Sequence, residues 1–347
     1  MKIMLWNVTK ERQVMTGVKR YEEELYKNLK ILADDFAFKI ERIRRNNNLI
    51  LGSTFVSWIL KYRCRDADIV HATMETLAPI VKIRKPKKFI VTCHGLLPLL
   101  SLSDTIKDFT TWMTWKLVPD ALRRADKIIA VSKFTKNELI KFLGIEEEKI
   151  EVIYHGVDHK VYKPMDKEYC RSKLGLSMDY KYILVVASGL KQKRLDIVKR
   201  VFSEIRRIRE DVGLLYVGSG ELSGDGIINL GVVKGEDMPL IYNSADVYFH
   251  PSEYESFGLP ILEAMACGVP VVASNKGSIP EVVGSYKYVV NIDDERVIDL
   301  FVEKIMSYID EGFSKKVLEQ SKKFTWEKTA KSTINIYRQM VGRNHAS

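Results

Sequence analysis

Short apolar runs and helical stripes alternate along this chain from end to end. Runs at residues 3–6, 67–72, 88–93 and 127–132 are bounded by polar residues, which predicts parallel strands buried on both faces. Between the first two, Tyr21, Leu25, Leu29 and Leu32 recur at helical spacing. Residues 96–125 read as an apolar helix carrying Trp112 and Trp115. The stretch 162–178 is polar, holds Pro164 and Gly175, and reads as a linker. After it the alternation restarts, with runs at 182–187, 214–217, 228–233 and 246–250 and a helix at 297–309. Strands alternating with helices in two halves predict an α/β chain of two doubly wound, Rossmann-like domains facing across a cleft. A length of 347 residues suits two domains, here 1–165 and 166–325.

One stretch concentrates candidate chemistry. It runs His250-Pro-Ser-Glu-Tyr-Glu255-Ser-Phe-Gly-Leu-Pro260-Ile-Leu-Glu263 and continues to Gly268-Val-Pro270. It reads as strand, loop, short helix and stop. Pro260 suits a first helical position, where its missing N–H costs nothing, and Gly268 suits the stop. A helix N-terminus behind Gly258 is an anion site. Glu255 in the loop and Glu263 in the expected first turn flank it. Taken alone, Glu263 could simply complement the helix dipole; that reading leaves Glu255 unexplained.

This stretch resembles the retaining nucleotide-sugar glycosyltransferases of the GT-B fold (glycosyl transferases group 1, family 4). Their signature sets two Glu eight positions apart within a run ending in Gly-x-Pro. The visible departure is Ser256, where Gly is common. The resemblance implies transfer of a sugar from a nucleoside-diphosphate sugar to a sugar, glycolipid or glycan acceptor, with retention at the anomeric carbon. It implies that Glu263 binds the ribose hydroxyls and Glu255 the donor sugar, with Ser256, Phe257, Gly258 and Leu259 beside the sugar and phosphates. His94, at a strand end, would contact the donor sugar, and Gly17 would lie close to its phosphates. Gly218 and Gly220 would form the loop near the nucleotide base. Lys193 would neutralise the diphosphate, with Arg194 or Lys191 supplying a second charge. Such a site calls for no metal and no cofactor beyond the donor substrate. A helix led by Trp326, spanning 326–342, would pack back on the first domain.

Composition narrows the remaining classes. No apolar run is long enough to span a bilayer. Cys64, Cys93, Cys170 and Cys267 show no metal-ligand spacing, as expected of reduced thiols in a cytoplasmic protein. Asp66-Ala-Asp68 precedes a strand rather than following one and reads as a solvated strand entry. The net charge is +10. Residues 1–165 hold 30 Lys+Arg against 20 Asp+Glu, and the rest are balanced at 25 each. Two clusters carry much of this excess, Lys39–Arg45 and Lys82–Lys88. They point to an anionic acceptor or a peripheral contact with an anionic membrane at its inner face, or simply to a solvated basic surface. A nucleic-acid-binding protein would need a recognisable binding module, which is missing. A sugar-nucleotide epimerase of the same fold remains the enzymatic alternative.

Overall fold

A computed structural model describes residues 1–9, 16–44, 67–82, 86–100 and 109–342. These fall into two compact units. One comprises Met1–Gly156 with the segment from Trp326 onward, the other Val157–Thr325. The division falls at Gly156/Val157 rather than 165/166 because the intervening residues are tied to the second unit. Val157 bridges Thr325, and the Met165 N–H donates to Asn243 at 2.8 Å.

The first unit orders β1 (Lys2–Asn7), α1 (Gly17–Ala33), β2 (Lys39–Arg44), β3 (Ile69–Ala72), β4 (Phe89–Cys93), α2 (Phe109–Arg123), β5 (Lys127–Ala130), α3 (Lys133–Leu143) and β6 (Ile150–Val152). Its sheet is parallel, in the order β2-β1-β3-β4-β5-β6. Strand order therefore reverses between β1 and β3, the place where open α/β sheets form a crevice at their carboxyl ends. Met4, Trp6, Val70, Phe89 and Val91 pack on one face against Leu77, Trp115, Val118 and Leu122. The other face carries a polar layer. His71 sits between the Tyr337 hydroxyl (2.7 Å) and Thr92 (2.8 Å), and Thr92 also meets the Tyr21 hydroxyl (2.8 Å). Burial pushes His71 down to about 3, so its ring is neutral and structural.

The second unit orders α4 (Lys167–Leu174), β7 (Lys181–Val186), α5 (Leu195–Ile208), β8 (Val212–Val217), β9 (Ile227–Gly231), α6 (Met238–Ser244), β10 (Val247–His250), α7 (Leu259–Ala266), β11 (Val271–Ser274), α8 (Ile279–Val283), β12 (Val289–Val290), α9 (Val297–Tyr308) and α10 (Lys315–Ser321). Its parallel sheet reads β12-β11-β10-β7-β8-β9. Here the order reverses between β7 and β10. The final helix, α11 (Trp326–Gly342), belongs to the first unit. Thr329 near its start donates to the Tyr154 carbonyl at 2.8 Å.

Three sequence expectations change. The Lys39–Arg45 cluster is not a free basic patch, because its described part is the edge strand β2. Arg42 and Arg44 both donate to Glu23, at 2.9 and 2.7 Å, and Lys39 pairs with Glu41. In the second cluster Lys87 pairs with Asp68 and Lys82 with Asp120. Asp68 also caps the Lys2 N–H at 2.9 Å. Arg45, Arg84, Lys85, Cys64 and Asp66 lie outside the described residues. The apolar helix expected at 96–125 appears as a single turn, Leu97–Leu100, and α2, with 101–108 undescribed. The linker expected at 162–178 contains α4, capped by Asp166 at its start and by left-handed Gly175 at its end.

Helix α4 is fixed by charge rather than by an apolar stripe. Asp246, 2% exposed, receives Arg171 and Lys167, each at 2.6 Å, and the Tyr182 N–H at 2.7 Å. Breaking such a buried pair leaves a charge without its partner. Asp246→Ala is therefore expected to cost about 3–5 kcal/mol, measured as a lowered urea midpoint for the second unit. Double replacement of Arg171 and Asp246 by apolar residues should recover part of that loss.

Candidate active site

The reversal between β7 and β10 decides what meets in the second unit. The loop leaving β7 carries residues 187–194, and the loop leaving β10 carries 251–258. Their strands are adjacent, so the two loops share one end of the sheet. The Lys193 ammonium pairs there with Glu255 Oε1. Across 62 residues of sequence this contact is a product of topology alone. His250, the last residue of β10, donates from Nε2 to the same oxygen at 2.8 Å. An ionised carboxylate only accepts, so Nε2 carries the proton and Nδ1 accepts from the Tyr248 hydroxyl at 3.0 Å.

Glu255 is enclosed, its side chain 12% exposed. Burial alone would raise its pKa. The Lys193 ammonium and the His250 N–H outweigh that and hold it down to about 2. Burial also keeps His250 below its ordinary value, despite the neighbouring carboxylate. Near neutral pH Glu255 is thus a carboxylate and His250 a neutral imidazole.

The backbone under Glu255 is clamped from two sides. Its carbonyl accepts from the Ser278 N–H at 2.9 Å and the Ser278 hydroxyl at 3.1 Å. Gly277, at φ +61°, lies so close that a Cβ would stand 2.3 Å from the Glu255 carbonyl oxygen. On the other side the Gln192 carbonyl accepts from the Glu253 N–H (2.8 Å) and the Ser252 hydroxyl (3.1 Å). The two loops that carry Lys193 and Glu255 are therefore joined by backbone as well as by charge.

Gly258, at φ +88°, caps α7. Pro260 occupies the second helical position, not the first, and Glu263 falls in the second turn. Dipole complementation in the first turn thus does not account for Glu263. It is 3% exposed and accepts from the Tyr242 hydroxyl at 2.9 Å. Ser256 is half-buried, Leu259 buried, and Phe257 packs edge-on against Phe324. Gly218 and Gly220 have a packing role. The Tyr216 hydroxyl donates to the Ala187 carbonyl (3.0 Å) and accepts from the Gly220 N–H (2.9 Å). A Cβ on Gly218 would stand 1.6 Å from the Ala187 oxygen, and one on Gly220 would meet Gly189 at 3.0 Å.

Arg194 takes φ +51°, unusual for a residue with a Cβ. Its guanidinium is held by Asp196 and Glu253, away from Glu255. Lys191 is exposed. The structure thus brings Lys193, but not Arg194, to Glu255.

In the first unit, the ends of β3 and β4 hold His94. Its Nε2 donates to the Thr73 carbonyl at 2.9 Å, and its backbone N–H donates to Glu75 at 2.8 Å. Burial pushes His94 down to about 4, so the ring is neutral. Tyr21 meets it edge-on at 4.9 Å. Gly17 is the exposed first residue of α1, whose Thr16 cap accepts from the Lys19 N–H at 3.2 Å.

Sequence reasoning missed Glu75, His250, Gly277 and Ser278. Glu75 lies just beyond a strand run that ends at Ala72, and His250 ends one; both positions lie at carboxyl ends where sites form. Gly277 and Ser278 carried no local signal, because their role depends on a segment 22 residues earlier.

Two doubly wound α/β units, the second with a charged cluster at its reversal point, are the architecture of the GT-B class. Residues 18–161 match the family model Glycosyltransferase Family 4, and residues 166–325 match Glycosyl transferases group 1. The chain belongs to the group 1 glycosyltransferases of GT-B fold. It is 32% identical over 256 residues to O-antigen chain mannosyltransferase B of Escherichia coli, covering 67% of this chain and 65% of that protein. It spans from half to just under two thirds of the curated relatives it matches. Sucrose-phosphate synthase from Thermosynechococcus elongatus superposes at a TM-score of 0.78 with 19% identity, over 99% of both chains. Anabaena HepE, solved with UDP and glucose, superposes at 0.75 with 18% identity, over 97% of this chain and 99% of that one.

Two measurements check the local account. Gly277→Ala is expected to push the Glu255 backbone out of place, lowering both the melting temperature and any activity that needs Glu255. Glu75 gives a pH signature. Burial raises its carboxyl to about 7, against the His94 N–H that favours the charged form. The folded state therefore binds this proton more tightly than the unfolded chain. Its contribution to stability is full below the unfolded value of 4.5 and is lost as pH rises toward 7. Glu75→Gln should remove that part of the slope between pH 4.5 and 7 in denaturant titrations.

Proposed function

We propose that this chain moves a sugar from a nucleoside-diphosphate sugar to an acceptor with retention of anomeric configuration. The observation that carries the reading is the enclosed Lys193–Glu255 contact at the carboxyl ends of β7 and β10, beside the N-terminus of α7. The UDP-bound and glucose-bound HepE structure, and the mannosyltransferase relative, support a nucleotide-sugar donor.

In this reading the donor diphosphate draws on the Lys193 ammonium and the free N–H groups at the start of α7. Negative charge develops on the leaving diphosphate, where these preorganised donors stabilise it most. Glu255 receives a hydroxyl of the donor sugar and Glu263 the ribose hydroxyls, with Ser256, Phe257, Gly258 and Leu259 presenting backbone beside them. Gly218 and Gly220 bound the nucleotide side, and Arg194 borders it while tied to Glu253. The donor-contact roles of Gly17 and His94 rest on the family resemblance alone. The leaving phosphate accepts the acceptor's proton, so the reading needs neither a protein base nor a metal. Among the described residues no cluster of metal-ligating side chains occurs, and no helix is long and apolar enough to cross a membrane. The charge excess of residues 1–165 favours an anionic glycolipid or glycan acceptor, reduced by the carboxylate pairings of Arg42, Arg44, Lys82 and Lys87.

Incubation with a panel of nucleotide sugars, with and without acceptors, tests the reading. Transfer that requires an acceptor is expected; conversion of the donor sugar without one would mean an epimerase. The anomeric configuration of the product, read by NMR, should match that of the donor. Lys193→Ala should slow transfer roughly 10²–10³-fold, and EDTA should leave it unchanged. Glu255→Gln should abolish most turnover.

A further inference from the structure

Both hydrogen-bond donors to Glu255 converge on Oε1. Lys193 and His250 share that atom, and no hydrogen bond from a described residue reaches Oε2. The two donors differ in kind. Lys193 ends a flexible stem, and its ammonium is the group the diphosphate would claim. A diphosphate carries more negative charge than one carboxylate, so donor binding draws Lys193 away from Oε1. His250 has no such rival. It is 2% exposed, sits on the last position of β10, and stacks on Tyr248, with ring centroids 5.8 Å apart. The Tyr248 hydroxyl, itself fully buried, fills Nδ1 and so keeps the proton on Nε2, toward Glu255.

We infer that His250 is a positioning residue: oriented by Tyr248, it pins Oε1 of Glu255 so that Oε2 stays directed at the donor sugar after Lys193 has turned to the diphosphate. The inference rests on the donor-site reading above and adds a part to it. His250 touches neither substrate nor leaving group. Its effect passes through the carboxylate, whose placement within a fraction of an ångström governs how well the sugar is held at the reacting geometry.

The test uses the full chain with the donor found active in the panel. His250→Phe keeps a buried ring and removes the N–H. It is expected to lower kcat roughly 10–100-fold, while affinity for the nucleoside diphosphate alone, by calorimetry, stays within about twofold of wild type. His250→Gln, whose amide can again donate to Oε1, should recover most of the loss. Tyr248→Phe keeps both partners but frees the tautomer. It should reduce kcat several-fold with the same unchanged diphosphate affinity, and it stands in if His250→Phe fails to fold. Unchanged kcat in His250→Phe or Tyr248→Phe overturns the inference. So does a loss of kcat matched by an equal loss of diphosphate affinity, because that marks general collapse of the loop. Glu255→Gln separates the two levels. If it keeps wild-type turnover, the donor-site reading itself fails; if it is crippled while His250→Phe is not, only the positioning role fails.

Discussion

The enclosed pairing of Lys193 with Glu255 is the constraint that shapes the second unit. A carboxylate so little exposed needs compensation, and burial penalises every other way of holding it. The compensation comes from two loops that share no sequence neighbourhood. They meet only because β10 crosses to the far side of β7, leaving β8 and β9 on the other. Had β10 followed β9 on the same edge, Glu255 would be buried alone or pushed into water. Charge and topology are thus one requirement. In the proposed function the same pair exchanges partners, since a diphosphate would offer the ammonium a stronger partner than the carboxylate does.

Around this contact the fold spends glycines and hydroxyls where other parts of the sheet use apolar side chains. Gly277 lets one backbone lie on another under Glu255, and Ser278 ties the two. Gly218 and Gly220 let the loop after β8 close on the loop after β7, with Tyr216 as the bolt. Ser252 and Glu253 fasten to Gln192. Each link fixes a loop against its neighbour, so the side chains that face a ligand are set by rigid backbone. This is the preorganisation that stabilising a developing charge requires. The first unit repeats the plan more modestly, with His94 held through Thr73 and Glu75 at its own strand ends.

Much of this was legible in the sequence. The buried-strand runs located nearly every central strand, because strands covered on both faces are apolar without interruption. The stretch from His250 to Pro270 declared its strand, loop and helix through Pro260, Gly258 and Gly268. The edge strand β2 was overlooked because Lys39-Ile-Glu-Arg-Ile-Arg is charged at most positions, as edges are. Helix α4 was overlooked because a buried ion pair, not an apolar stripe, secures it. Pairings could not be read at all. Nothing local to Arg194 shows that Asp196 and Glu253 hold its guanidinium, and nothing local to His250 shows that Glu255 folds back five positions to meet it.

The central claim is that the Lys193–Glu255 contact is the donor site. A crystal structure with a nucleoside-diphosphate sugar bound tests it most directly. The account predicts the diphosphate on Lys193 and the start of α7, Glu255 Oε2 on a sugar hydroxyl, and Oε1 still on His250. A donor bound elsewhere, with the Lys193–Glu255 pair undisturbed, would contradict it.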